Sequence, residues 1–224
     1  MAIPVLILGE SGSGKSASLR NFKKGEVAVI NVASKPLPFK TDIVPYNVSR
    51  VAKEKRKSRY DLIKSAIKTA KTKSFVIDDS QYLLAFDAFD RAKETGYGKF
   101  TDLAVNFEKL IEFCINDVAD DKIVYFLHHC ETNEFGKIKA KTLGKMLDNQ
   151  LTVEGLFGIV LFCQTDGTTH KFVTQSDGFT TAKSPMEMFE REIDNDLKMV
   201  DKTIREYYNI TTDTERKEKN DPEI

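Results

Sequence analysis

Residues 9–16 read Gly-Glu-Ser-Gly-Ser-Gly-Lys-Ser, a complete G-x-x-x-x-G-K-[ST] phosphate-binding pattern. Glycines at these spacings let backbone amides curl around the α- and β-phosphates of a nucleotide, while the lysine reaches the β- and γ-phosphates and the final hydroxyl ligates Mg²⁺. A ligand-free glycine–serine turn rarely needs three glycines, a lysine and a serine in this order. The pattern therefore predicts a nucleoside-triphosphate site formed by Gly9, Glu10, Ser11, Gly12, Ser13, Gly14, Lys15, Ser16 and Ala17.

A second acidic motif follows the apolar run at residues 74–77, which ends in Asp78 and Asp79. A carboxylate at a strand end beside the phosphate loop is suited to hold Mg²⁺, and Asp78 is assigned to that role together with Ser16. Asp79 is a candidate catalytic residue that orients or deprotonates the attacking water. Its alternative role is to cap a helix that begins near Ser80.

A pair of histidines, His128 and His129, ends another apolar run at residues 123–127. P-loop enzymes that hydrolyse ATP, with a strand inserted between the two motif strands, tend to carry a polar sensor at the end of the neighbouring strand. His129 is the favoured candidate to face the γ-phosphate. The alternative is an ordinary surface pair at a strand end. Adjacent strand residues face opposite ways, so the two histidines do not predict a shared metal site.

Basic residues concentrate in residues 50–73, which hold ten basic and two acidic side chains, a net charge of +8. Part of this charge belongs to the solvent side of an amphipathic helix, but residues 53–60 have no apolar stripe and suit a phosphate backbone. A second lysine-rich segment spans residues 137–145, and the glycine-flanked loop 96–100 adds aromatic rings for base stacking. Ordinary surface loops also hold lysines. The candidate contacts to DNA or to a neighbouring subunit are Lys53, Lys55, Arg56, Lys57, Tyr97, Lys99, Lys139 and Lys141.

The elements that must position these groups alternate between short apolar strands and amphipathic helices. This pattern predicts an α/β fold with a mainly parallel, twisted sheet and helices on both faces, whose strand ends form one functional edge. Helices are predicted after the phosphate loop at 17–22, at 61–73, from Thr101 onward and across 185–208. The predicted organisation is an ATPase core at residues 1–183, a C-terminal helix packed on it at 184–210, and a polar tail at 211–224.

The composition limits the class of protein. The 224 residues carry 34 basic and 34 acidic side chains, so no global field recruits nucleic acid, and any attraction must be local. Three cysteines follow no metal-ligand spacing and are expected to be reduced, which fits a cytoplasmic protein. No apolar stretch approaches the roughly 20 residues of a membrane span, and none reads as a signal peptide.

Several segments together resemble one family, the small RecA-like P-loop ATPases of bacteriophages, a group of phage nucleotide-binding or AAA-type ATPases. Some members of this family are single-strand-annealing recombination proteins. The lysine-rich segment and the Lys-Pro-Leu-Pro stretch are the more specific carriers, because very many families share the phosphate loop. The segments that carry the resemblance are residues 4–16, 35–39, 76–80, 128–131, 139–148 and 155–157.

The resemblance implies a RecA-like core that uses ATP and Mg²⁺, assembles with copies of itself and acts on single-stranded DNA in phage recombination or replication. It also implies a phage or host single-strand-binding protein as a partner, in the host cytoplasm. RecA-like recombinases use lysines from the adjacent subunit at the γ-phosphate, and Lys139 and Lys141 are similar by placement. They usually carry a catalytic glutamate on a strand end between the two motifs, and no glutamate of this sequence is assigned to that position.

Two other classes of function remain open from the sequence. A P-loop kinase that phosphorylates a small molecule would carry an arginine-rich lid, but no arginine lies between residue 133 and Arg191. A nucleotide-dependent switch or scaffold for a protein partner, with slow hydrolysis, fits the same motifs.

Overall fold

A computed structural model of the chain describes residues 1–96, 98–144, 147 and 151–210. The strands are β1 (Ile3–Gly9), β2 (Val27–Asn31), β3 (Tyr46–Asn47), β4 (Ser74–Asp78), β5 (Ile123–Thr132), β6 (Ile138–Ala140), β7 (Ile159–Thr165), β8 (His170–Val173) and β9 (Glu192–Asp194). The helices are α1 (Val48–Lys55), α2 (Arg59–Thr69), α3 (Gln81–Asp90), α4 (Gly98–Asn116) and α5 (Leu197–Tyr207), with two 3₁₀ helices at Ser16–Asn21 and Val153–Leu156.

The nine strands form one mixed sheet that is mostly parallel. Its order is β3-β2-β4-β5-β1-β7-β8-β9, and the six strands from β3 to β7 run parallel to their neighbours. Strands β8 and β9 add an antiparallel end, and β6 pairs with the projecting part of β5. The α/β class and the largely parallel sheet are thus confirmed.

The strand register brings the two predicted motifs to the same edge of the sheet. Strand β5 lies between β1 and β4, so a strand is inserted between the two strands that carry the motifs. Gly9 at the end of β1 is in register with His129 on β5, and Asn31 at the end of β2 is in register with Asp78 at the end of β4. Because parallel strands end at a common edge, the phosphate loop, the acidic pair and the histidines meet there.

Apolar side chains cover both faces of the sheet, because successive residues of each buried strand point to opposite sides. Leu6 and Leu8 of β1 face a core formed with α1 to α4, whereas Val5 and Ile7 face a second core formed with the first 3₁₀ helix and α5. Parallel strands that are buried on both sides must be apolar at nearly every position, which explains their continuous runs.

A buried polar network ties α5 to the edge of the sheet opposite the phosphate loop. The Asp201 carboxylate accepts hydrogen bonds from Ser74 Oγ at 2.8 Å, Tyr125 Oη at 3.0 Å and Arg205 Nε at 2.7 Å. The Arg205 guanidinium also donates to Ser74 Oγ and to two backbone carbonyls that precede β4 and β5. This network fixes the helix against the strands, since each charge has hydrogen-bonding partners.

The helix predicted at 17–22 is present as the six-residue 3₁₀ helix Ser16–Asn21, which ends where Phe22 turns extended. Two other local predictions were wrong. Residues 185–208 are helical only in α5, because 192–194 extend the sheet as β9 beside β8. Helix α4 begins at Gly98 and not at Thr101, so the end of the predicted loop 96–100 is helical.

Two other predictions fall on residues outside the described part of the chain. These are the stacking role of Tyr97 and the polar tail at residues 211–224. Among the described residues, every helix is too short or too polar to cross a lipid bilayer.

Candidate nucleotide site

The phosphate loop between β1 and the first 3₁₀ helix is shaped by its glycines. Gly12 and Gly14 have φ angles of +83° and +102°, a left-handed conformation that side-chain-bearing residues rarely adopt. The amide of Ser13 donates to the carbonyl of Glu10 at 3.3 Å and closes the turn. The sequence pattern and the folded loop therefore agree on why glycines occupy these positions.

Lys15 lies inside this loop with only 6% of its surface exposed. Its ammonium group donates to the backbone carbonyls of Gly9 and Glu10, both at 2.7 Å. Burial lowers the pKa of Lys15, and nearby acidic groups partly oppose that change. A buried cation that donates only to neutral carbonyls is poorly compensated, so it is well suited to attract phosphate oxygens.

Strands β7 and β8 support the outer side of the loop. The carbonyl of Ser13 accepts from Cys163 Sγ at 3.0 Å and from His170 Nδ1 at 2.8 Å. A Cβ atom added to Gly14 would lie 2.8 Å from His170 Nδ1, so the ring occupies the space that a side chain would need. Burial raises the pKa of Cys163 to about 11, so this thiol stays neutral and acts as a donor. The sequence pattern did not identify either supporting residue.

The two motifs are joined by a hydrogen bond from Ser16 Oγ to Asp78 Oδ1, at 2.8 Å. Asp78 is 6% exposed, and burial raises its pKa, although the Ser16 hydrogen bond opposes that shift. A hydroxyl and a carboxylate are the oxygen ligands that Mg²⁺ prefers, and this ion keeps several waters and takes substrate phosphate oxygens. The described residues contain no group of three or more metal-binding side chains. The Ser16–Asp78 pair fits an Mg²⁺ that the nucleotide itself helps to bind.

Asp79, the candidate catalytic residue, follows directly in a left-handed conformation with φ of +61°. Its Oδ2 pairs with Lys35 Nζ at 2.7 Å and its Oδ1 with His129 Nε2 at 3.1 Å. Burial alone would raise the pKa of Asp79, but the hydrogen bonds from His129 and Lys35 hold it below its ordinary value. The carboxylate thus contacts side chains from other elements, and α3 has Ser80 as its N-cap residue.

The predicted strand end after residue 127 was wrong, because β5 continues through both histidines to Thr132. The two histidines face opposite sides, as the strand geometry requires. His128 is fully buried, with Nδ1 at 2.9 Å from Ser80 Oγ and Nε2 at 2.9 Å from the carbonyl of Lys141. Burial lowers the pKa of His128 to about 4, so this imidazole is neutral at pH 7. His129 points to Asp79 on the loop side, and its ring also contacts the edge of Tyr82.

Lys35 belongs to this site, although no sequence pattern assigned it a functional role. It lies in the Lys-Pro-Leu-Pro stretch after β2, and its ammonium group sits 5.1 Å from the centre of the Tyr82 ring. A cation over an aromatic face is attracted by the ring quadrupole. The proline-rich composition indicated only that regular structure ends there, so no local signal pointed to Asp79.

The candidate DNA-binding residues lie outside this cluster. Their side chains are exposed in and after α1, a helix that packs on α2 and on β2. Arg50, just before them, already pairs with Glu54 at 2.9 Å. The residues of this group, called the basic segment below, are Lys53, Lys55, Arg56 and Lys57.

The remaining predicted lysines have local partners. Lys139 pairs with Glu131 at 3.3 Å across the β5–β6 hairpin. Lys141 is exposed, and its backbone binds to both histidines of β5. Lys99 donates to the carbonyl of Glu94 at 3.0 Å. Lys141 is thus linked through its backbone amide to His129, which contacts Asp79.

A comparison with protein-family models finds no match to this chain, and a search of curated proteins finds no significant similarity.

Proposed function

We propose that this chain is an ATP-hydrolysing protein of the RecA-like type that acts on single-stranded DNA. The observation that carries the proposal is the 2.8 Å hydrogen bond from Ser16 Oγ to Asp78 Oδ1. It joins the phosphate loop to the acidic strand end and unites the ligands that an Mg–nucleotide complex needs. The buried Lys15 beside it supplies the cation for the phosphates.

The arrangement around Asp79 supports hydrolysis over simple binding. Strand β5 lies between the strands that carry the two motifs. P-loop enzymes that hydrolyse ATP and have a strand inserted between the motif strands share this order. It places His129 against Asp79 at the same edge as Lys15. A carboxylate held ionised at this edge can orient an attacking water. It takes the proton only as the new bond to phosphorus acidifies that water, because its lowered pKa makes it a weak base.

The proposed reaction follows from these positions. Lys15 exchanges its two carbonyl contacts for β- and γ-phosphate oxygens, which orients the nucleotide. Ser16 and Asp78 would hold Mg²⁺, and the ion would supply positive charge beside the phosphates. Asp79 orients a water whose oxygen bonds to the γ-phosphorus while the bond from that phosphorus to the β–γ bridging oxygen breaks. The proton of the water passes to Asp79, and ADP and phosphate leave.

The DNA part of the proposal depends on exposed charge and aromatic surface. The basic segment presents four cations to solvent, and the turn between β5 and β6 presents Phe135 with 77% of its surface exposed. Exposed rings near lysines form stacking platforms for single strands. The hairpin that carries Phe135 continues the strand that holds His129, which favours coupling between DNA contact and hydrolysis.

The decisive experiment measures both ADP and free phosphate released from ATP, with and without a single-stranded oligonucleotide. We expect equal amounts of the two products and faster turnover with the oligonucleotide. The matched variant is Asp79→Asn, because asparagine tolerates the left-handed backbone but cannot accept the proton. It should bind ATP normally and turn it over at least about tenfold more slowly, in line with general-base effects.

Other outcomes separate the alternative functions. ADP without free phosphate, in the presence of a small-molecule acceptor, would identify a kinase. ATP binding with no turnover and no oligonucleotide binding would contradict the proposal and favour a nucleotide-dependent switch. Parent-like turnover in Asp79→Asn would move the base to another residue, with Glu131 the next candidate.

A further inference from the structure

We infer that Lys35 is a positioning residue that holds the Asp79 carboxylate in its working orientation. The inference rests on the proposed ATP hydrolysis and extends it to a residue outside both motifs. Lys35 is the partner of Asp79 Oδ2, at 2.7 Å, and the pair is formed between the segment after β2 and the end of β4.

The backbone of Lys35 is anchored to the sheet beside the acidic strand. Its carbonyl accepts a hydrogen bond from Asn31 Nδ2 at 2.5 Å, and Asn31 is 1% exposed at the end of β2. Asn31 is also in register with Asp78. The lysine therefore starts from a fixed point next to the strand that presents Asp79, although the surrounding segment has no regular structure.

The side chain of Lys35 is guided from that anchor to its target. The ammonium group lies 5.1 Å from the centre of the Tyr82 ring, on the first turn of α3. The ring also contacts the edge of His129. Tyr82 thus touches both partners of Asp79, and the three side chains surround the carboxylate from β5, α3 and the segment after β2.

The two carboxylate oxygens of Asp79 are held from different directions. Lys35 takes Oδ2 and His129 takes Oδ1, so the carboxyl plane cannot rotate freely. Each oxygen of a carboxylate has about two acceptor sites, which leaves one on each for a water molecule. Lys35 has 57% of its side chain exposed and Asp79 has 11%, so the lysine covers the solvent side of the carboxylate.

The test compares Lys35→Met with Lys35→Arg, which keeps the charge, and with Lys40→Met, an exposed lysine of the same segment. Lys35→Met should lower kcat for ATP by about 10- to 100-fold, the range expected when a reacting group is misplaced by about 1 Å. The KM for ATP and the affinity for a fluorescent ATP analogue should stay within about twofold of the parent, because Lys15 and Ser16 are untouched. Lys35→Arg should recover most of the turnover, and Lys40→Met should match the parent.

Unchanged or faster turnover in Lys35→Met would overturn the inference, because the lysine would then be neutral or a restraint. A parent protein that neither binds nor hydrolyses ATP would instead contradict the proposed function. The contact itself is tested without nucleotide by melting temperatures. Lys35→Met should lower the melting temperature of the parent more than that of Asp79→Asn, and equal shifts in the two backgrounds would also overturn the inference.

Discussion

Buried charges lie at both ends of the parallel strands, and they are paired differently at the two ends. The lower end is the one at which the strands begin, and the upper end is the one at which they finish, beside the phosphate loop. At the lower end, Asp201 accepts three side-chain hydrogen bonds, and Arg205 distributes its donors among a carboxylate, a hydroxyl and two carbonyls. At the upper end, Lys15 donates only to carbonyls and Asp78 has one hydrogen bond from Ser16. The lower cluster, Asp201 with Arg205, has hydrogen-bonding partners within the protein for both charges. The upper cluster, Lys15 with Asp78, has fewer hydrogen-bonding partners than its charged groups can bind.

This difference distinguishes a structural cluster from the candidate functional one. Buried charges that are fully paired contribute to a unique fold and have little capacity left for a ligand. Buried charges with incomplete pairing reduce stability unless a ligand completes them, and such violations are expected at functional sites. The direction of the Asp78 pKa, raised by burial, agrees with this assignment.

The largest stability effect is expected at the lower cluster. Arg205→Met keeps the apolar stem but leaves the Asp201 charge buried and unpaired, which should lower the free energy of unfolding by about 3–5 kcal/mol. Urea denaturation measures this change. The matched control is Lys202→Met, whose pair with Glu206 is more than 60% exposed on both sides, and should cost less than about 0.5 kcal/mol. Equal effects of the two variants would show that the lower cluster is not structural.

A pH experiment probes His128, a buried histidine at the phosphate-loop end of the sheet. The ordinary pKa of histidine is 6.5 and that of folded His128 is about 4, so the unfolded chain binds more protons between these values. The free energy of unfolding should therefore fall by about 3 kcal/mol from this residue as the pH drops from 6.5 to 4, with no contribution above that window. The difference between parent and His128→Gln denaturation curves isolates the effect. Parallel curves across this range would show that His128 titrates normally.

At the upper cluster, Lys15→Ala should separate binding from stability. Loss of the cation should weaken ATP binding by roughly 100-fold, the size of a lost charge-assisted contact. The melting temperature without nucleotide should not fall, because the variant also removes an incompletely compensated buried charge. Titration with a fluorescent ATP analogue gives the affinity, and Lys24→Ala, an exposed lysine beyond the 3₁₀ helix, is the control. Near-native affinity in Lys15→Ala would contradict the account of the loop.

The smallest effect on folding is expected from the basic segment, which belongs to neither cluster. Replacing its four cations by glutamine should leave the melting temperature unchanged and weaken binding to single-stranded DNA. The slope of log K against log salt should fall in magnitude by about 3, since each phosphate contact contributes about 0.7. The control is the double variant Lys198→Gln with Lys202→Gln on α5. An unchanged slope would place the DNA contact elsewhere.

Features that depend on local order could be predicted from the sequence. The phosphate loop and the acidic pair follow directly from residue types and spacing, and strand alternation predicted that His128 and His129 face opposite ways. The burial of His128 was not predicted. The apolar runs gave the parallel strands, because burial on both faces leaves few positions for polar residues.

Features that depend on distant pairing could not be predicted. Lys35, Cys163 and His170 reach the site through the strand order and register, which no local pattern encodes. The helix after the loop was predicted to within one residue, but not that it is a 3₁₀ helix, which ends where Phe22 turns extended. The strand β9 was missed because its three residues are ordered by pairing with β8, and their composition carries no strong strand signal.

The contact between Gly14 and His170 has a consequence for sequence drift. A side chain at position 14 meets two separate obstacles, the φ angle of +102° and the imidazole 2.8 Å from its Cβ. Trimming His170 would remove the second obstacle and leave the first. No single compensating substitution can therefore open this position to another amino acid, so glycine is expected to persist here through neutral divergence even while the β8 residue changes.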